Sequence, residues 1–204
     1  CAPQVIGAVA DSLDWHDRVT AIELNAATDN PIFPAEGAAP ALHGGNFMGQ
    51  HVGLVSDALC NALVVLAGLA ERQMARLCDE RLNAGLPAFL HGGAAGLNSG
   101  FMGAQVTATA ILAEMRARLG PVSGQSISTN GANQDVVSLG TIAARGVRQA
   151  LPDLARLQAI LAMAIAQARE IRDPDPAAWS PALMALCQDL RQRHAALETD
   201  RPLG

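Results

Sequence analysis

Asn130, Asn133 and Gln134 stand together in the run Ser126-Ile-Ser-Thr-Asn-Gly-Ala-Asn-Gln-Asp-Val-Val-Ser-Leu139, just ahead of a long apolar stretch. Amide side chains donate and accept hydrogen bonds at any pH. A cluster of them suits the orientation of a zwitterionic or carbonyl-bearing ligand, not the transfer of protons. The other polar loops have the same character, with Asn25 and Asn30 in Asn25–Pro34, Asn46 after Gly44-Gly45, and Asn98 inside Gly96-Leu-Asn-Ser-Gly100. Each amide alone is an ordinary turn residue. Gly44-Gly45-Asn46-Phe47, read as the entry to a long helix, would leave backbone N–H groups at a positive dipole end that favours developing negative charge.

Other chemistries find little support. His16, His43, His51, His91 and His194 are scattered, and Cys1, Cys60, Cys78 and Cys187 form no Cys-x2-Cys pair, so no metal site is expected and the thiols read as free and buried. No serine or cysteine sits in a nucleophile motif with a base near it. A formal net charge of −5 without a basic cluster argues against a nucleic-acid partner. All 14 basic residues are arginine, which we read as the codon bias of a GC-rich genome. No charged segment leads into an apolar one at the start, and charges or amphipathic spacing interrupt each long apolar stretch. No membrane association and a cytoplasmic location are therefore expected.

The elements that must hold these loops are helical. Half of the residues are apolar but only 3% are aromatic, the composition of closely packed helices in an all-α protein. Val5, Ile6, Val9, Leu13, Val19 and Ile22 recur at helical spacing over residues 3–24. A loop dense in Asn, Asp, Pro and Gly follows through residue 45. A long helix is expected over about residues 46–82, apolar nearly all round and so enclosed by other helices. Residues 83–100 read as loop, 101–119 as a shorter helix and 120–133 as a second loop. A helix over about residues 134–170 follows, with Pro152 inside it. Asp173-Pro-Asp-Pro176 reads as a hinge. Ser180–Leu197 reads as a final amphipathic helix, with Ser180 as N-cap before Pro181. Long helices of this kind pack into a bundle, and burial by another segment or subunit is expected.

Five ordered motifs carry a resemblance. They are Cys1-Ala-Pro-Gln-Val-Ile-Gly-Ala8, Glu23-Leu-Asn-Ala-Ala-Thr-Asp-Asn-Pro31, Gly44-Gly-Asn-Phe-Met-Gly49, Gly96-Leu-Asn-Ser-Gly-Phe-Met102 and Asn133-Gln-Asp135. Together they resemble the histidine, phenylalanine and tyrosine ammonia-lyases, with wording nearest to the bacterial tyrosine enzymes. The resemblance implies the C-terminal part of the fumarase/aspartase-like (L-aspartase-like) ammonia-lyase fold, a long-helix bundle assembled as a homotetramer with sites shared among subunits. It also implies the electrophilic group MIO (4-methylidene-imidazol-5-one), formed from an internal Ala-Ser-Gly. That group captures the amine of an aromatic amino acid, a tyrosine removes the β-proton, and ammonia leaves to give a trans-cinnamate-type acid.

This chain has no Ala-Ser-Gly and no tyrosine. Electrophile and base are thus expected outside it, as is a carboxylate-gripping arginine ahead of Cys1; truncation at both ends and inactivity of the isolated chain are the corresponding expectations. The whole of residues 1–204 then reads as one helical portion of a larger lyase. Residue by residue, Phe47 resembles the aromatic side chain against MIO, Asn30 an amide near the carboxylate end of the site, and Met102 a pocket-lining position. Asn130, Asn133 and Gln134 resemble the substrate- and MIO-contacting amides at a helix start. Phenylalanine-preferring plant members usually have glutamate at the position of Asn130, and histidine-deaminating members have Gln-Glu-Asp where this chain has Gln134-Asp-Val136. Both differences point to tyrosine or phenylalanine as substrate. The rival readings are a non-catalytic oligomerisation scaffold or remnant, a tyrosine 2,3-aminomutase and a histidine ammonia-lyase.

Overall fold

A computed structural model describes residues 1–37, 40–94, 96–172 and 179–203. The described residues form five α-helices: α1 (Ala2–Leu24), α2 (Gln50–Cys78), α3 (Met102–Ala117), α4 (Gly140–Arg172) and α5 (Pro181–Arg193). Among them there is no strand, only the isolated antiparallel bridges Ile32–Leu42 and Thr129–Gln134. The all-α expectation is met. The Asp173–Pro176 hinge lies outside the described residues.

The chain divides into two compact units. Unit 1 comprises Cys1–Leu66 and Arg116–Pro152, and unit 2 comprises Ala67–Met115 and Asp153–Gly204, so that α2 and α4 each contribute to both. In unit 1, α2 buries Val55, Leu59 and Leu63, and α4 buries Ala143, Val147 and Ala150. The two helices approach closely where side chains are smallest: a Cβ on Gly53 would lie 3.6 Å from the Gly140 Cα. In unit 2, Ala67, Ala70 and Met74 of α2, Leu112 of α3, and Leu157, Leu161 and Ala164 of α4 are buried, along with Leu90 and Leu197 from the connecting segments.

Local chemistry sets the helix ends. Pro3 lies in the first turn of α1, where the N–H it lacks would have no helical partner, and Asn25 closes that helix by donating its side-chain amide to Ala21 O at 2.7 Å. Ser180 caps α5 as expected, its hydroxyl accepting the Leu183 N–H at 3.3 Å, but the helix stops at Arg193 and does not reach Leu197. The second helix also differs from its expected bounds. It begins at Gln50, because Gly49 adopts a left-handed φ of 64°, and it ends at Cys78. There Asn83 donates to Leu77 O at 3.0 Å and accepts the Leu86 N–H at 2.9 Å, which satisfies a terminal carbonyl and turns the chain away. Asp79 next to it accepts both the backbone N–H and the guanidinium of Arg81, bonds that pull its carboxyl down to about 2.

The start of α4 is the largest correction. Residues 134–139 were expected to be helical and are not, for their polar groups are committed elsewhere. Gln134 exchanges both backbone hydrogen bonds with Thr129 (3.0 and 3.3 Å), the Val137 N–H donates to Ser126 Oγ at 2.8 Å, and Leu139 has φ 51°. Pro152 lies inside α4, which continues past it. Two further expectations fail. Cys78 and Cys187 are buried, but Cys1 is exposed and Cys60 half-buried. The segment Asn46–Cys78 contains an 18-residue window with a mean hydropathy of 2.0, apolar enough by composition to cross a membrane, since Asp57 alone interrupts the segment's first twenty residues. Val55, Leu59, Ala67, Ala70 and Met74 of this helix are buried within the protein, while Leu54 and Val65 are 49% and 47% exposed.

Candidate active-site wall

In unit 1, residues 45–48 and 133–138 face each other across a cleft of about 330 Å³ lined by Gly45, Phe47, Met48, Asn133, Gln134, Asp135, Val136, Val137 and Ser138. Three of the residues singled out from sequence, Phe47, Asn133 and Gln134, therefore share one cavity. Phe47 is 51% exposed, a large apolar surface to leave open on an otherwise polar loop.

Each wall has a local origin. Asn46–Met48 forms a single 3-10 turn closed by Met48 N–H to Gly45 O at 3.0 Å, and the left-handed Gly49 redirects the chain into α2. The Gly44–Phe47 backbone is thus one turn removed from the N-terminus of α2, and the dipole end expected at this motif begins instead at Gln50. The opposite wall is a tight turn. Asn130, Gly131 and Ala132 have φ of 57°, 64° and 66°, and the Asn133 N–H donates to Asn130 O at 3.2 Å. Left-handed backbone is tolerable for Asn and Gly but costs about 1 kcal/mol or more for Ala, and such strain persists where surrounding structure dictates it. The amides consequently occupy a turn well ahead of α4 and do not sit at a helix start.

Asn130 is exposed at the tip of that turn and does not line the cleft. Asn30 holds its own loop together: its Oδ1 accepts the Gly44 N–H at 3.0 Å, close to where the bridge between Ile32 and Leu42 closes the arms of residues 30–44. It reaches the cleft only through the chain it anchors. Met102 opens α3 in unit 2 and is 42% exposed. Its helix start is tied down by Asp200, whose carboxylate accepts the Ser99 and Gly100 N–H groups at 2.7 and 3.0 Å and is lowered below the usual carboxylate range by those bonds. Gly100 must be glycine there, with φ 55° and Phe89 O only 2.5 Å from where a Cβ would stand.

Sequence reasoning missed the residues that hold the cleft in shape. Ser138 Oγ donates to Met48 O at 2.6 Å, while Ser123 accepts from Gln50 Nε2 at 3.3 Å and donates its N–H to Asp57 at 2.8 Å. No spacing in the sequence marks them, although in the structure Gly53 leaves room for the carbonyl of Ser138. A larger cleft of about 800 Å³ in unit 2 contains none of the predicted residues. Of its three arginines, Arg72 and Arg81 pair with Glu71 and Asp79, and Arg76 lines it as well. Among the described residues no cluster of three metal-binding side chains occurs.

The cleft therefore offers an aromatic face, two amides and the Asp135 carboxylate, a surface able to orient a ligand. The aromatic amino acid lyase model matches residues 1–192. A tyrosine ammonia-lyase from Cereibacter sphaeroides is 68% identical over all of this chain and 39% of its own length. A histidine ammonia-lyase from Koribacter versatilis is 42% identical over 85% of this chain and 36% of its own length. The crystal structure of the tyrosine aminomutase from Streptomyces globisporus superposes with a TM-score of 0.92 at 44% identity, covering 98% of this chain and 37% of that one. The chain belongs to the aromatic amino acid lyase family, and its helical fold is that of the family's solved members. It spans about two-fifths of the length of these relatives.

Proposed function

We propose that this chain is the C-terminal helical part of a carbon–nitrogen lyase that eliminates ammonia from L-tyrosine to give a trans-hydroxycinnamate. The identity of 68% to a tyrosine ammonia-lyase across the entire chain carries that reading. In the assembled enzyme, a homotetramer on this reading, these residues form one wall of a site whose remaining walls come from other segments or subunits.

This chain has no Ala-Ser-Gly from which MIO could form, so the group must be contributed from elsewhere in the parent protein. The residues here fit a planar neighbour: Phe47, half-exposed, lines the cleft together with Asn133 and Gln134. MIO supplies the electrophile that takes the substrate amine. Phe47 would be the residue that packs against that group. Asn133 and Gln134 orient the substrate by hydrogen bonds, and their dipoles offset the charge that develops as ammonia leaves. Asn30 supports the Phe47-bearing loop by accepting the Gly44 N–H, and Asn130 stands at the tip of the amide-bearing turn. None of these groups exchanges a proton near neutral pH, which leaves acid–base work to a side chain outside this chain.

The test is product analysis of the full-length protein supplied with tyrosine, phenylalanine and histidine. Hydroxycinnamate from tyrosine as the main product is expected. Accumulation of β-tyrosine would move the assignment to an aminomutase, urocanate would move it to a histidine ammonia-lyase, and no turnover of any of the three would leave the non-catalytic scaffold.

A further inference from the structure

We propose that Ser138 is a positioning residue, its hydroxyl fastening the amide-bearing wall of the cleft to the Phe47-bearing wall and so setting the distance between them. The inference rests on the cleft being part of the lyase site. Its support is geometric. Ser138 Oγ donates to Met48 O at 2.6 Å and accepts the N–H of Gly140, the first residue of α4, at 3.3 Å. One hydroxyl thus joins the residue after Phe47 to the residues after Gln134 and to the start of a helix.

The surroundings are shaped around that contact. A Cβ on Gly53 would stand 2.9 Å from Ser138 O, and a Cβ on Gly140 would stand 3.3 Å from Gly49 O, so backbone meets backbone where a side chain would hold the walls apart. Leu139 takes a left-handed φ of 51°, a conformation that a leucine adopts only when held. Elsewhere the amide wall is tied to its own loop: Val137 N–H to Ser126 Oγ, and Gln134 to Thr129. Those bonds shape the turn but do not fix it relative to Phe47. Among the described hydrogen bonds, the one that joins residues 133–138 to residues 45–48 is that of the Ser138 hydroxyl, while Ser123 ties the start of the same loop to Gln50 and Asp57 of α2.

A wall that is displaced while the protein stays folded misplaces the two amides against the substrate. Both substrate affinity and discrimination between substrates should then change, whereas a loss of folded protein lowers kcat alone. The experiment uses full-length protein with Ser138→Ala and Ser138→Thr. For the alanine variant, kcat/KM for tyrosine should fall by about tenfold with KM raised, and the tyrosine-to-phenylalanine preference should shift by about threefold or more. The threonine variant, which keeps the hydroxyl, should recover most of both. Hydrogen exchange at residues 133–137 should quicken in the alanine variant and not in the threonine variant. If the alanine variant does not fold, Ser138→Cys, of similar size and a weak donor, takes its place with the same expectation.

Unchanged exchange together with unchanged substrate preference in a folded Ser138→Ala protein overturns the proposal, as does a folded threonine variant no better than alanine. Should the wild-type protein turn over no aromatic amino acid, the lyase reading fails, and the exchange measurement still decides whether Ser138 sets the wall.

Discussion

Gln134 and Asn130 lie four positions apart, yet the structure puts them in different surroundings. Gln134 is half-buried and lines the cleft, its backbone pinned on both sides by Thr129, while Asn130 is exposed at the left-handed tip of the turn. Substitution at the two sites must therefore be designed differently. Gln134→Ala removes only the amide and should lower turnover of the full-length enzyme by about tenfold, or ~1.4 kcal/mol of transition-state stabilisation. Asn130→Ala would add a backbone cost of about 1 kcal/mol at φ 57°, which clouds the result. Asn130→Gly keeps the turn and deletes the amide, and a drop in kcat in that variant would report on the amide itself. Steady-state kinetics that match wild type for both Gln134→Ala and Asn130→Gly would reduce these residues to turn chemistry.

At the scale of elements, the tightest constraint is where α2 and α4 meet. A methyl group on Gly53 would encounter Ser138 O at 2.9 Å and Ser123 Cβ at 3.2 Å, and the carbonyl cannot rotate aside. Gly146 on α4 has only Cys60 Sγ, at 4.0 Å. Replacing a mid-helix glycine by alanine gains roughly 0.8–1 kcal/mol in propensity, while overpacking a well-filled contact costs typically about 1–3 kcal/mol. Gly146→Ala should thus raise the thermal midpoint of the full-length protein and Gly53→Ala should lower it. Equal gains for both would mean that the helices yield at Gly53. The same region shows what the sequence made legible. The first and last helices follow from hydrophobic spacing and from Ser180-Pro181, and the Asn130-Gly131 pair is a turn signal. The onset of α4 was not legible, because Val136, Val137 and Leu139 satisfy a helical stripe while their backbone is spent on Ser126 and on a left-handed turn. The grouping of Phe47 with Asn133 and Gln134 could be anticipated through the resemblance. Ser138 could not, for a single serine in an apolar run has no spacing that reveals a partner 90 positions away.

At the scale of the molecule, α1 is the element left uncovered. This helix of 23 residues buries none of them; Ile22 is 64% exposed and Leu24 80%, and Ile6, Leu13 and Trp15 are open as well. Covering a side chain of this size stabilises by about 1.5–3 kcal/mol, and an amphipathic helix draws most of its stability from such burial, its intrinsic propensity contributing less. A chain left with so much apolar surface needs a covering, and the relatives it matches, of whose length it spans about two-fifths, carry further polypeptide. The 204 residues expressed alone should therefore show helical far-ultraviolet circular dichroism with weak near-ultraviolet signal, bind an apolar dye and self-associate. They should form no hydroxycinnamate, cinnamate or urocanate, having neither Ala-Ser-Gly nor tyrosine. The full-length protein should show none of the loose packing. A well-packed, dye-silent oligomer of the short chain would mean that α1 finds its cover in other copies of these same residues, the behaviour of a self-sufficient scaffold. Steady product formation by that chain would place the electrophile and base among residues that lack the usual chemistry for either.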